Sequence, residues 1–230
     1  MKVDLHIHSC LSPCALLTMG PRTIVQRAKE LNIDIIGLTD HNSALNTPAM
    51  EKVCLELGLG FIPGMEVTTR EEAHCLCLFP SVDVALEFGK LVSARQPKVP
   101  NKPHLMGDQI VVDEEEYVVD EVPYWLNAPT DIGWEELGDL VHQFQGLWVP
   151  AHIDRSHGGV ISQLGFLPQA NYDAVEVVDA HFQGETWGKK RLRHSDAHAP
   201  EHIGRRWWEL PNQEGRVWEV VQHYLTETDR

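Results

Sequence analysis

Residues 3–8, Val3-Asp4-Leu5-His6-Ile7-His8, alternate apolar and polar side chains without a break. With a period of two, Val3, Leu5 and Ile7 share one face of a strand and Asp4, His6 and His8 the other. The two imidazoles, two residues apart, point the same way, a spacing that suits one metal ion. A lone pair of this kind is weak evidence, so its weight depends on what the rest of the chain places beside it.

Working outward, Pro21 fits a first helical position, and Ile24, Val25, Ala28 and Leu31 follow at helical spacing with Asn32 to close the helix. Residues 33–39 read as a second strand ending in Asp40-His41, and Thr47-Pro48 opens a helix that Gly58 stops. Strands are expected at 60–66 and 73–79, and a helix at 82–94. Across 95–130, Pro97, Pro100, Pro103 and Pro123 and the acidic run 113–116 break the rhythm. This stretch reads as an insertion over one mouth of the domain, with a short hairpin near 109–119. A helix near 133–145 precedes strands at 147–152, 174–178 and 192–196. An edge strand at 205–210 and a helix through Val217, Val220, Val221, Tyr224 and Leu225 complete the pattern.

Strands alternating with helices imply a parallel sheet. His8, His41, Glu66, His152 and Asp196 fall at or just after the C-terminal ends of different strands. An open sheet would spread seven strands over roughly 30 Å, at about 4.8 Å per strand, whereas a closed barrel gathers the strand ends around one point. The expected fold is therefore an α/β, distorted (β/α)7 TIM-like barrel, one domain over 1–230 with the 95–130 insertion.

The chain has 230 residues, enough for one large α/β domain, and a formal charge of −15. Such a surface disfavours a long nucleic-acid groove but admits a small phosphorylated substrate or a short oligonucleotide where bound cations reverse the local potential. No run of about 18 apolar residues is present and the N-terminus lacks a signal-peptide pattern, so no membrane partner and a cytoplasmic location are expected. Five cysteines, an odd number, argue against a disulfide framework. The thirteen histidines are the anomaly. One strand-end His or acid often merely caps a loop, but so many at one end of a barrel would repel or desolvate one another without a cation.

The runs Asp4-Leu5-His6-Ile7-His8-Ser9, Thr39-Asp40-His41, Gly64-Met65-Glu66, His74-Cys75-Leu76, Ala151-His152 and Ser195-Asp196-Ala197-His198 together resemble the motifs of the PHP (polymerase and histidinol phosphatase) family, in the family's order. The resemblance implies a distorted (β/α)7 barrel and a hydrolase with two or three divalent metals, zinc, manganese or iron. It implies a first metal on His6, His8, Glu66 and Asp196, a second on the bridging Glu66 with His74 and His152, and a third on His41 and His198. Where relatives often carry a His or Asp for the third site, this chain has Cys14, which is either a thiolate ligand or a loop cysteine. Where relatives carry Pro after the His of strand five, it has Ile153-Asp154-Arg155, so Arg155 either meets a substrate phosphate or makes a surface salt bridge. Asp4 and Asp40 are expected to orient metal-bound imidazoles.

The expected activity is hydrolysis of a phosphate ester by a metal-bound hydroxide attacking phosphorus, with Glu66, Asp196, His198 and Arg155 at the reacting centre. Inorganic phosphate is the product of the phosphatase form of this reaction. An amidohydrolase-like enzyme acting on a non-phosphate substrate and a non-catalytic metal-binding module are the alternatives. The basic run Lys189-Lys190-Arg191-Leu192-Arg193 either steers anions or is a solvated face. The sequence sets no oligomeric state.

Overall fold

The computed structural model of the protein describes residues 1–227; the last three positions of the 1–230 domain expectation lie outside the described residues. The first half runs β1 (Lys2–Asp4), α1 (Pro21–Glu30), β2 (Ile35–Leu38), α2 (Thr47–Leu57), β3 (Gly60–Thr68), β4 (His74–Leu78) and α3 (Val82–Ala94). The insertion holds a short helix α4 (Pro103–Met106) and the hairpin β5 (Ile110–Val112) and β6 (Val118–Glu121). There follow α5 (Trp134–Gln143), β7 (Leu147–Pro150), α6 (Val160–Leu164), β8 (Val175–Glu176), β9 (Arg191–Leu192), β10 (Trp208–Glu209) and α7 (Val217–Thr226).

A curled half-barrel sheet has the order β10-β1-β2-β3-β4-β7, and β8 pairs with β9 in a second sheet. Two sets of bonds join them into a distorted barrel. Ile153 N donates to Glu176 O and Asp173 N to Trp148 O, both at 2.9 Å, tying β7 to β8. On the other side Ile7 bridges Ala197 in parallel, beyond the ends of β1 and β9. The sheet is not wholly parallel. A tight turn follows β3, and β4 runs antiparallel to both β3 and β7, with Thr68 opposite His74. That reversal brings His74, at the start of its strand, to the same mouth as residues at the ends of theirs.

The interior packs Val3, Leu5, Ile35, Ile62, Leu76 and Val149, and α7 plugs it with Val220, Val221 and Leu225. Ile7 instead joins the outer layer under α1 and α2 with Ile24, Ile36 and Met50. Regular β1 ends at Asp4, so the alternation of 3–8 does not carry one face through to Ile7. This loss of register lets His6 and His8 turn into the mouth.

The acidic run of the insertion is absorbed internally. Glu114 meets Lys52 and Glu115 meets Arg22, while Glu116 Oε1 accepts from the backbone N–H groups of Arg22 and Thr23 at 2.8 and 3.3 Å. Gly20, at the N-cap of α1, has no side chain to offer, so a residue nearly a hundred positions away caps that helix. Glu116→Ala is expected to cost about 1 kcal/mol, lowering the melting temperature by about 2–4 °C, which a thermal melt measures. Glu114→Ala, which removes an exposed pair, is expected to change it by less than half as much.

Candidate metal centre

The polar residues at the mouth are delivered by the ends of six strands, with His6 and His8 both following β1 and Asp196 and His198 both following β9. Glu66 lies within β3, its side chain buried at the centre of the cluster. Its Oε1 lies 3.0 Å from His74 Nδ1, 2.9 Å from His152 Nε2 and 3.4 Å from His6 Nε2. Its Oε2 lies 3.1 Å from His41 Nδ1 and 3.4 Å from His8 Nε2. One carboxylate thus presents its two oxygens to two sets of imidazoles, the geometry of a bridging ligand. Asp196 Oδ1 lies 3.3 Å from His6 Nε2 and 3.4 Å from His8 Nε2, and His198 stacks on His8 with ring centroids 4.1 Å apart.

Four groups of three side chains bring donor atoms within 4.8 Å of one another: His6, His8 and Asp196; His6, Glu66 and His152; His41, Glu66 and His74; and His8, His41 and His198. They share members, so they overlap around one mouth. Cys14 belongs to none of these groups among the described residues; it is exposed at the rim, where its Sγ accepts from Asn127 Nδ2 at 3.9 Å. In the group containing His41 and His198, the third donor is His8.

The donor set fits divalent cations on two further counts. Asp196 Oδ1 and His41 Nδ1 are buried with no hydrogen-bond partner, although charges of opposite preference surround them. Nitrogen and carboxylate oxygen together suit zinc, manganese or iron.

Electrostatics point the same way. Burial would raise the Glu66 carboxyl, but His74, His6 and His41 hold it well below the usual range. Burial likewise opposes ionisation of Asp196, and His6 and His8 keep its pKa low. Burial alone would lower His6, yet Glu176, Glu66 and Asp196 hold it well above the ordinary imidazole value; His8 is raised too, by bonds to Asp196 and Glu66 that overcome its burial. His41 is pushed well down by burial, His152 is lowered by burial, and His198 is brought by burial to about 3. Near pH 7 the metal-free mouth therefore holds ionised Glu66 and Asp196, neutral His41, His152 and His198, and a proton on His6. A ligating imidazole must be neutral, so cation uptake has to expel the His6 proton. Metal affinity is expected to rise with pH until His6 is neutral, with the His6 proton released on uptake at pH 7. Calorimetry in buffers of different ionisation heat measures this, and an enthalpy independent of buffer would contradict it.

The supporting residues differ in part from the sequence expectation. Asp40 reaches its imidazole through a hydroxyl: Ser12 Oγ donates to Asp40 Oδ1 at 2.6 Å and lies 2.9 Å from His8 Nδ1, while Ser9 N and Oγ also donate to Asp40. Asp4 does not orient an imidazole by hydrogen bonding. It accepts from Ser195 N at 2.9 Å and Gly204 N at 3.3 Å, because the loop leading to Asp196 folds over the end of β1.

The imidazole of His6 is held by Glu176, which the sequence reading missed. Glu176 Oε2 lies 2.9 Å from His6 Nδ1 and accepts from His152 N at 2.9 Å. Behind it, His194 Nδ1 lies 3.4 Å from Glu176 Oε1, and Trp208 Nε1 donates to His194 Nε2 at 3.0 Å. The Trp208 bond leaves the His194 proton on Nδ1, facing Glu176. Glu176, charged and accepting, in turn keeps a proton on His6 Nδ1, so the neutral ring turns its Nε2 lone pair to the cluster. The available signal was a single Glu in the apolar run Val175-Glu176-Val177-Val178. His194 lies buried beneath the site. The basic run lies apart too, since Lys190 packs over Tyr224 of α7, at the opposite end of the barrel.

Two site residues have left-handed backbone, His152 at φ 28° and Asp196 at φ 49°. This conformation costs about 1–3 kcal/mol for a residue with a β-carbon and persists where surroundings enforce it. Arg205 supplies part of that enforcement, donating from Nε to Ser195 O at 2.6 Å and from Nη2 to Asp196 O at 3.1 Å. Arg155 lies across the mouth, its guanidinium against Asp196 and His152.

Among the described residues no helix is long and apolar enough to cross a membrane. Comparison with known proteins gives a consistent family. A segment of 73 residues is 38% identical to a 5'-3' exoribonuclease Rnm of Salmonella typhimurium, covering 31% of this chain and 24% of that protein. The fold resembles the lesion-specific endonuclease PfuEndoQ of Pyrococcus furiosus with a TM-score of 0.73 at 20% identity, over 98% of this chain and 55% of that one. It resembles a putative metal-dependent phosphoesterase of Bifidobacterium adolescentis with a TM-score of 0.60 at 16% identity, over 97% and 95% of the two chains. This chain thus corresponds to about a quarter of the exoribonuclease and about half of the endonuclease. Residues 4–191 match the PHP domain, spanning every motif from Asp4 to His152, and the chain belongs to the PHP-domain family.

Proposed function

We propose that the protein hydrolyses phosphoester bonds in short nucleic acids, using two or three divalent cations held at the barrel mouth. The observation that carries the reading is Glu66, buried, with its two oxygens turned to different imidazoles and Asp196 closing the far side. Bound there, divalent cations would neutralise phosphoryl oxygens and lower the pKa of water to near neutrality. His6, His8, Glu66 and Asp196 would form one position, Glu66, His74 and His152 a second, and His41 and His198, with His8 nearest, a third. Zinc, manganese and iron all suit this set.

The chain's own residues supply the rest. Glu66 and Asp196 stay ionised and fix the charge of the site. His198, neutral and partly exposed, offers a ring nitrogen to the third position beside His41. Arg155 is the cation at the mouth whose planar fork matches a phosphoryl group. The similarity to an exoribonuclease supports a nucleic-acid substrate, and the charge of −15 supports a short one. The reading takes 1–230 as one phosphoesterase domain and places it in the cytoplasm, in keeping with five free cysteines.

The test is a panel on metal-loaded protein: a 5'-labelled trinucleotide, an aryl phosphate, a carboxylic ester and an amide. Preferential cleavage of the trinucleotide is expected. Turnover of the aryl phosphate alone, with release of inorganic phosphate, would make it a small-molecule phosphatase. Turnover confined to the ester or amide would overturn phosphoester chemistry.

A further inference from the structure

Arg155 occupies a position that its hydrogen bonds cannot satisfy. Its Nη1 donates to Asp196 Oδ2, and its Nη2 lies 2.9 Å from His152 Nε2. The same His152 nitrogen lies 2.9 Å from Glu66 Oε1. A ring nitrogen offers either one proton or one lone pair. Bonded to Glu66 it must donate, and bonded to Arg155 it must accept. One contact is always unfavourable, and the other ring nitrogen, His152 Nδ1, is buried with no partner.

A cation between His152 Nε2 and Glu66 Oε1 removes the conflict, since both atoms then present lone pairs to it. It also removes the reason for a guanidinium to stay, because two positive groups would then compete for Asp196 and His152. The side chain is free to leave. Its side chain is 34% exposed, and apart from Asp196 and His152 its remaining bond runs from Nε to His157 O at 2.9 Å, in its own loop.

We propose that Arg155 is a cation stand-in that becomes an anion clamp: it neutralises Asp196 and pairs with His152 in the metal-free protein, and on loading it swings its fork to a phosphoryl group of the substrate. The anion-binding site is thereby created only when the metals are present. The inference rests on the metal-centre reading and goes beyond it, because it predicts effects of opposite sign from one side chain. As an internal competitor, Arg155 weakens metal binding in the absence of anion. As a clamp, it strengthens phosphate binding to the loaded protein.

The test uses the full chain, stripped with chelator, as wild type, Arg155→Ala and Arg155→Lys. Manganese is titrated calorimetrically without phosphate, and orthophosphate is then titrated into the loaded proteins. Arg155→Ala is expected to bind manganese several-fold more tightly and orthophosphate at least about tenfold more weakly, the loss expected for a hydrogen bond to a charged group. Arg155→Lys keeps the charge without the fork and is expected to fall between wild type and Arg155→Ala in phosphate binding. If Arg155→Ala weakens manganese binding, or leaves either affinity unchanged, the proposal is overturned. If wild type takes up no metal, the metal-centre reading fails, and the clamp with it. Normal metal uptake by wild type with unaltered variants sinks the clamp alone.

Discussion

Replacing Glu66 by alanine is expected to lower turnover about a thousandfold or more, equivalent to roughly 4 kcal/mol of transition-state stabilisation. The size follows from its position. No other side chain described here faces His6, His8, His41, His74 and His152 together. Without the carboxylate, its imidazoles lose the anion that gathers them, and cation positions that share it lose a common ligand. Metal stoichiometry should fall along with the rate. Glu66→Gln keeps the shape and one oxygen acceptor but not the charge, and should resemble alanine more than wild type. Near-normal rates in Glu66→Ala at full metal content would show that the bridge assignment is wrong.

Glu176→Gln carries the second largest effect. The residue sits one layer below the cluster, so it should act through His6. Removing its charge leaves His6 Nδ1 facing a neutral partner that can present either a carbonyl oxygen or an amide N–H. The tautomer is then no longer fixed, and His6 loses the largest electrostatic contribution to its raised pKa. Metal affinity is expected to fall about 10–100-fold, the usual range for losing such a partner. Fewer protons should be released on metal uptake, because His6 would hold its proton less firmly near pH 7. A structural defect alone would lower affinity without changing the proton count, so buffer-dependent calorimetry separates the two. Unchanged affinity would mean that Glu176 merely fills space.

Much of this arrangement was legible in the sequence, for identifiable reasons. His6, His8, His41, Glu66, His74, His152, Asp196 and His198 stood at strand ends, and the structure brings all eight to one mouth. Periodicity located the helices closely: α2 spans Thr47–Leu57 and stops at Gly58, in left-handed conformation. What periodicity could not carry was strand direction. The stretch between β3 and β4 is too short for a crossover, which forces a hairpin and reverses β4. Nor could it register where β1 loses regularity, on which the aim of His6 and His8 depends. Glu176 and Ser12 escaped notice because a supporting residue has no spacing rule; only the fold shows what lies behind an imidazole. Cys14 was plausible by position, but the loop turns its thiol to the rim, toward Asn127.

The most direct test of the central claim is metal content. The chain is stripped with chelator, dialysed to equilibrium against manganese or zinc, and analysed for metal per protein molecule. The cluster predicts two or three ions per wild-type chain and fewer in Glu66→Ala. Less than one ion per folded wild-type chain would contradict it.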